Sequence, residues 1–470
     1  MFTLLLKKEI RDILNSPKFS ALFGMGSLLI LLAFYMGARN YQVLQNQYES
    51  AVRENLRQLE GVTDWSRVEP QIHLPPSPLA SLISGVSNDI GRSVQVQAGA
   101  AELVPDHTRY GEDPVYAAFR LLDLEFVFQL ILSLVAILLA YNAVNGEREQ
   151  GTLKLMMAHA VPKDKVIFAK LVGSFTATAL PLLVPILIGC GILMVMNVPL
   201  TGAEWLRLML IVCSGMLYYF VFLSVSILVS SLTARSAHAF LALLIIWIFT
   251  VLIVPRTAVL LAGRAIEVPS VDEINSQKFR HQSQLFNEHF QKIGEFKPNS
   301  NDPEKAMNEF NEFMDKARAD REKKVVEFNE RLNEDRDNRQ KIQQQWAFAL
   351  GRISPATSFS LAAMQLAGTS SELRNRFEES VKSYKQTFKQ FVFEKTGKAP
   401  GGNMMMIRIG DSPEEKPKPI NPYDLPQFVM PSLTFSEIIN AALPDMAILI
   451  VINMLIFAAT TAAFLRYDVR

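Results

Sequence analysis

Long runs with almost no charge punctuate this chain, and they restrict its fold more than any other feature. About 20 apolar residues in helix cross a hydrocarbon core roughly 30 Å thick. Six runs qualify: 19–38, 121–144, 171–198, 205–232, 237–262 and 444–465. Two stretches as polar as a soluble domain, 39–120 and 263–443, lie between them. Of 470 residues, 49% are hydrophobic and 20% charged. Their segregation into blocks excludes a single soluble globule and predicts an all-α polytopic membrane protein with six transmembrane helices. A net charge of +1 argues against nucleic acid as a partner. The two cysteines, Cys190 and Cys213, both sit in apolar runs and offer neither a disulfide framework nor a metal motif.

Charged KKEIRD precedes the first run and no clean small-residue cleavage site follows it, so it reads as a retained anchor. The third run carries Pro181 and Pro185, tolerable where neighbouring helices satisfy the freed carbonyls. Pro255-Arg256 interrupts the fifth, which should kink or turn back near Pro255. Orientation follows from the basic residues of short loops, which stay in the cytoplasm. Lys7, Lys8, Arg11 and Lys18 precede the first span, and Arg148, Lys154, Lys163, Lys165 and Lys170 separate the second from the third. Arg235 separates the fourth from the fifth, and Arg466 and Arg470 follow the sixth in the tail 466–470. All fall on one side, which places both termini inside and both polar insertions outside.

The first insertion begins as an amphipathic continuation of span one, with Tyr41, Leu44, Tyr48, Val52, Leu56 and Leu59 at helical spacing. HLPPSPLASL and the alternating SVQVQ follow, so a small mixed α/β unit is expected. The second insertion reads as mainly helical. Asp302-Pro303-Glu304 opens a charged helix with Phe310, Phe313, Ala317, Val325, Phe328 and Leu332 in one stripe. Its nearest partner is Val271 to Ile293, with Ile274, Leu285, Phe286 and Ile293 available for antiparallel pairing. Thr369 to Glu372 and Thr434 to Glu437 have capping-box spacing, and Gly397 can end the helix between them. Met404, Met405, Met406, Ile407 and Ile409 form an apolar patch in an irregular stretch, more often packing than a substrate surface.

No catalytic constellation stands out. GxxxxGK[ST], HExxH and GxSxG are all missing from the sequence. His281 and His289 lie eight residues apart, too far for the i, i+4 grip on zinc, so surface histidines are the plainer reading. Ionisable residues in the spans sit near their outer ends, as with Asp123, Glu125, Arg256 and Asp445, which leans towards a lipidic or amphipathic cargo.

The informative segment is the loop 145–170. Glu147, Arg148 and Glu149 open a short polar helix, Gly151 and Thr152 break or re-cap it, and Leu153, Leu155 and Met156 offer an apolar face. Such a helix either docks into a partner's groove or anchors the loop on lipid headgroups. The run NGEREQGTLKLMMAHAVPKDKVIFAKLVG resembles the signature of ABC-2 type transporter permeases, the membrane subunits of type V ABC exporters. The resemblance implies that 145–170 holds a coupling helix contacting a separate ATPase subunit through Glu147, Arg148, Glu149, Gly151, Thr152, Leu153, Leu155 and Met156. It also implies that 1–18, with Phe2, Leu5, Leu6, Ile10, Ile13 and Leu14 opposite Lys7, Lys8, Arg11 and Asp12, is an N-terminal interfacial helix resting against the ATPase. PPSPLASL, SPATSFSLAAMQLAGTSSE and NPYDLPQF resemble a bacterial subfamily with large extracytoplasmic insertions.

The expectation is therefore a permease in the bacterial inner membrane, pairing with a second copy or a paralogue and with two ATPase subunits. No cofactor or metal is expected on this chain, and ATP and magnesium are expected in the ATPase. The main rival is a machine that transmits force to a periplasmic or envelope protein through the second insertion, without transport. A membrane-tethered enzyme lacks any supporting constellation.

Overall fold

The computed structural model describes residues 2–87, 90, 93–96, 104–106, 122–158, 162–297, 303–397 and 419–466. It divides into two compact units, Met1–Ile253 with Arg352–Arg470, and Val254–Gly351. Among the described residues six helices are long and apolar enough to cross a membrane, Pro17–Gln58, Leu124–Glu149, Lys163–Val195, Gly202–Leu232, Ser236–Ala265 and Phe435–Leu465. The methionine patch at Met404, Met405, Met406, Ile407 and Ile409 lies outside the described residues, as do Asp302 and Arg470.

In the first unit, α1 (Phe2–Leu14) is amphipathic and stops before Ser16, which caps α2 (Pro17–Gln58) by accepting the Phe19 N–H at 3.2 Å. Pro17 sits at the first helical position, where a missing N–H costs nothing. The second apolar helix, α3 (Leu124–Glu149), starts three residues later than the apolar run because Asp123 caps it through the Phe126 N–H at 2.8 Å. Within it, Val127–Leu132 widens into a π-helix. Such a turn frees a carbonyl, and Gln129 O finds the Tyr218 hydroxyl at 3.0 Å and Ser133 Oγ at 2.6 Å.

After the short α4 (Thr152–Ala158), α5 (Lys163–Val195) begins eight residues before the apolar run and passes through both prolines unbroken. Helix α6 (Gly202–Leu232) opens with a capping box between Thr201 and Glu204. Helix α7 (Ser236–Trp247) leads into a second π-helix, Ile248–Ile253, just before Pro255. There the proline is met by a wider turn instead of a chain reversal, and Ser354 Oγ takes up the Thr250 carbonyl.

The second unit holds α8 (Val254–Ala265), α9 (Val271–Glu295) and α10 (Pro303–Gly351). At 49 residues, α10 is about 70 Å long. Its pairing with α9 is antiparallel, since Phe310 and Phe313 meet Phe296 while Phe328 meets His281 and Arg336 reaches the Pro269 carbonyl. Ile274 and Leu285 are buried in the seam. Phe286, expected there, is 49% exposed and packs against Phe290 and under the Arg321 guanidinium.

The chain returns to the first unit at Arg352. The segment Ser354 to Glu372 does not belong to the helical arm. Helix α11 (Pro355–Ala367) is about 20 Å long, too short to span, and is buried among α6 and α13 (Phe435–Leu465), with Phe359 stacked on Tyr218. Helix α12 (Glu372–Thr396) then packs on a three-stranded antiparallel sheet of β1 (Gln71–His73), β2 (Ser93–Gln95) and β3 (Val104–Asp106), ordered β1-β2-β3. Ile72 and Val94 pair across the strands and share a buried cluster with Leu59, Phe377, Val381 and Phe388. Residues from both insertions thus build one small α/β domain. The expected box at Thr369 is not made, for the N-cap of α12 is Ser371, whose side chain makes no capping bond; the box at Thr434 is made with Glu437 and starts α13.

Candidate functional site

The loop after α3 and the first helix converge on one buried lysine. Lys170, on the second turn of α5, is only 5% exposed at its side chain and lies 3.2 Å from Glu9 Oε2 and 3.1 Å from Glu147 Oε1. Lys8 approaches the same Glu147 oxygen at 2.9 Å from the half-exposed side. Two ammonium groups and two carboxylates therefore balance at the junction of α1, α3 and α5, around a cavity of about 10 Å³ edged by Leu5, Met156 and Val166. Balance is needed, because several kcal/mol of desolvation accompany each buried ion. Burial pushes the Glu9 carboxyl above its ordinary range; Lys170 opposes this and the nearby Glu147 carboxylate adds to it.

Local sequence explains how α1 comes so close. Leu5, Leu6, Glu9, Ile10 and Ile13 share its inward face, and this face lies along α5 at Gly173. A Cβ at Gly173 would stand 2.9 Å from Glu9 Cβ, so only glycine admits the approach. Phe2 and Phe168 add a ring contact at 5.5 Å. Lys7 and Arg11 face outward with Leu4 and Leu14, the distribution of a helix lying in an interface.

The loop itself is held from three directions. The Ser230 hydroxyl accepts the Val144 and Asn145 N–H groups at 3.0 and 3.2 Å, and Asn145 Nδ2 donates to Thr233 at 3.1 Å. The Glu149 carboxylate accepts the Ser236 N–H at 2.7 Å and its hydroxyl at 3.0 Å, capping α7. Gly151 turns the chain at φ 75° and Thr152 Oγ1 donates to the Glu147 carbonyl at 3.1 Å. Leu153 is buried, Met156 is half-buried, and Arg148, Gln150, Gly151, Thr152, Lys154 and Leu155 are exposed, Leu155 by 66%.

The eight residues expected to contact an ATPase thus divide. Glu147, Leu153 and the half-buried Met156 face inward, Glu149 is exposed but held on Ser236, and Arg148, Gly151, Thr152 and Leu155 form the outer rim. Glu9 and Lys170 were not singled out as a pair in the sequence, although each carries a signal. Both are charges inside an apolar helical stripe, Glu9 between Leu5 and Ile13 and Lys170 among Val166, Ile167 and Ala177.

Three acidic groups of the spans also have partners. Asp445, 2% exposed at its side chain, receives Arg352 through Nε at 2.6 Å and Nη2 at 3.0 Å. Asp123 accepts the Ser84 hydroxyl at 2.7 Å, and Glu125 accepts that of Ser360. Arg256 is exposed. Among the described residues no group of three or more His, Cys, Asp or Glu side chains could hold a metal ion.

A family model described as ABC-2 family transporter protein matches residues 3–469. No curated protein matches the sequence.

Proposed function

Because the chain belongs to the ABC-2 family transporter proteins, we propose that this multi-pass membrane permease is the pore-forming half of an ATP-driven exporter. The observation that carries this reading is the loop's division into a buried, charge-balanced inner face and an exposed rim of Arg148, Gln150, Lys154 and Leu155. A loop built that way can take a push from a bound protein without collapsing. In this reading two ATPase subunits hold ATP and magnesium and do the hydrolysis, while two permease copies, or this chain and a paralogue, form the path. The membrane is the bacterial inner membrane, with α1, the loop 145–170 and both termini in the cytoplasm. A lipidic or amphipathic cargo suits spans whose charged groups are all paired or peripheral.

Purification of the permease with its ATPase subunit tests the docking surface. Leu155→Asp should weaken association by roughly 2 kcal/mol, the value of one apolar anchor. Unaltered co-purification and unaltered ATPase stimulation would remove the rim from the interface.

The long α10 and the domain shared by the two insertions favour one rival, force transmitted to an envelope protein. ATP-dependent accumulation of labelled lipid in proteoliposomes would support transport. Nucleotide-dependent movement of α10 without accumulation would support force transmission.

A further inference from the structure

Helix α1 and the loop each have their own anchorage. Helix α1 is seated on α5 by Gly173 and by the Phe2–Phe168 contact, and the loop hangs from α6 and α7 through Ser230, Thr233 and Ser236. Two ion-pair links join them in the charged cluster: the half-exposed Lys8 of α1 meets Glu147 directly, and the buried Lys170 touches Glu9 of the one and Glu147 of the other. Through Thr152 Oγ1 on the Glu147 carbonyl the cluster extends to the start of α4.

We propose that Lys170 is the positioning residue that makes α1 and the coupling loop a single body, so that displacement of the loop by a bound ATPase reaches α1 and the foot of α5 together. This deepens, and for its functional half rests on, the permease reading above. Without the Lys170 ammonium, Glu9 and Glu147 would face each other as buried carboxylates. Lys8, whose side chain is 46% exposed, could offset only part of that repulsion. Protonation of Glu9, which burial already favours, or separation of the loop from α1 can relieve this, and either way the bridge through Lys170 is gone while α1 and the loop each keep their own seat.

The test uses the full chain with Cys190 and Cys213 replaced by alanine and spin labels on exposed positions. One pair, Lys7→Cys with Gln150→Cys, spans the cluster; a second, Lys7→Cys with Asp164→Cys, reports only the seating of α1 on α5. Lys170→Met should broaden the distance distribution of the first pair and leave the second narrow, and Lys170→Arg should keep both narrow. In the complex, Lys170→Met should lower ATPase stimulation roughly tenfold while the ATPase still co-purifies. Should Lys170→Met not accumulate, Glu147→Gln removes the same bridge from the loop side and should broaden the same pair. An unchanged first pair would overturn the proposal, as would equal broadening of both pairs or a Lys170→Arg that behaves like Lys170→Met. Failure of the permease reading has a separate signature, no ATPase binding even with Lys170 in place, and the label distances decide the lock regardless.

Discussion

A hydrogen atom at Gly173 decides where the first helix can lie. With Glu9 Cβ 2.9 Å and Cγ 3.2 Å from the position a side chain would take, Gly173→Val must lift α1 off α5. Overpacking of this kind costs about 1 to 3 kcal/mol. Thermal unfolding of the purified chain should show a modest loss, and protease access to the bond after Arg11 should rise sharply. A variant as protected as the parent would mean that α1 is held elsewhere. The buried Asp445 makes a different residue-scale prediction. Arg352→Met leaves a nearly inaccessible carboxylate unpaired and should destabilise the first unit by about 3 kcal/mol, since an orphaned buried charge is worse than a lost pair. Asp445→Asn together with Arg352→Met removes the charge as well and should recover much of that loss; equal unfolding temperatures for the single and double variants would refute the account.

Among the elements, periodicity was readable wherever a helix meets lipid or a single partner, and unreadable where distant segments meet. The apolar runs mark the cores of the six long helices, but their ends are set by Asp123, by the box at Thr201 and by the lysine-bearing first turns of α5, none of which is apolar. The two capping-box patterns show why spacing alone falls short. Thr434 is free to close on Glu437, whereas Thr369 is fully buried against Gly85 and gives its carbonyl to the Val86 N–H, so tertiary contacts override the local motif. Helix α11 escaped notice because its small-residue sequence is apolar on nearly all sides yet too short to read as a span. The charged cluster could have been anticipated from Glu9 and Lys170 lying inside apolar stripes, although that they meet each other is fixed only by the crossing at Gly173. The hairpin of α9 and α10 was legible in the recurrence of Phe310, Phe313 and Phe328. These rings are half-buried against Phe296 and His281, so each contributes about 1 to 2 kcal/mol. Phe310→Asp with Phe328→Asp should abolish hydrogen-exchange protection across α9 and α10 and leave that of α6 and α13 unchanged. Retained protection in α9 would sink the pairing.

On the scale of the whole first unit, two sets of contacts mark opposite ends of the bundle and constrain how the chain crosses it. At one end Leu59 and Val94 share a core with Val381 and Phe388, which keeps these two parts of the chain together at that end. Four of the six candidate spans separate Gln58 from Lys382 along the chain, and an even number of crossings returns a chain to the side it left. At the other end α1, the loop 145–170 and the start of α7 are tied together by Lys8, Lys170 and Glu149, and Lys163 Nζ donates to the Leu465 carbonyl at 3.3 Å, close to the C-terminal tail. This second end gathers the short loops rich in lysine and arginine, and basic short loops stay in the cytoplasm. The expected pattern is then specific. In a background with Cys190 and Cys213 replaced by alanine, Gln58→Cys and Lys382→Cys should react together with an impermeant maleimide in intact cells, and Lys154→Cys only after the membrane is opened. Labelling of Lys154→Cys alone in intact cells would invert the orientation while keeping the crossing count. A split between Gln58→Cys and Lys382→Cys would be the more damaging result, because no orientation of this fold can separate two residues whose neighbours share one core.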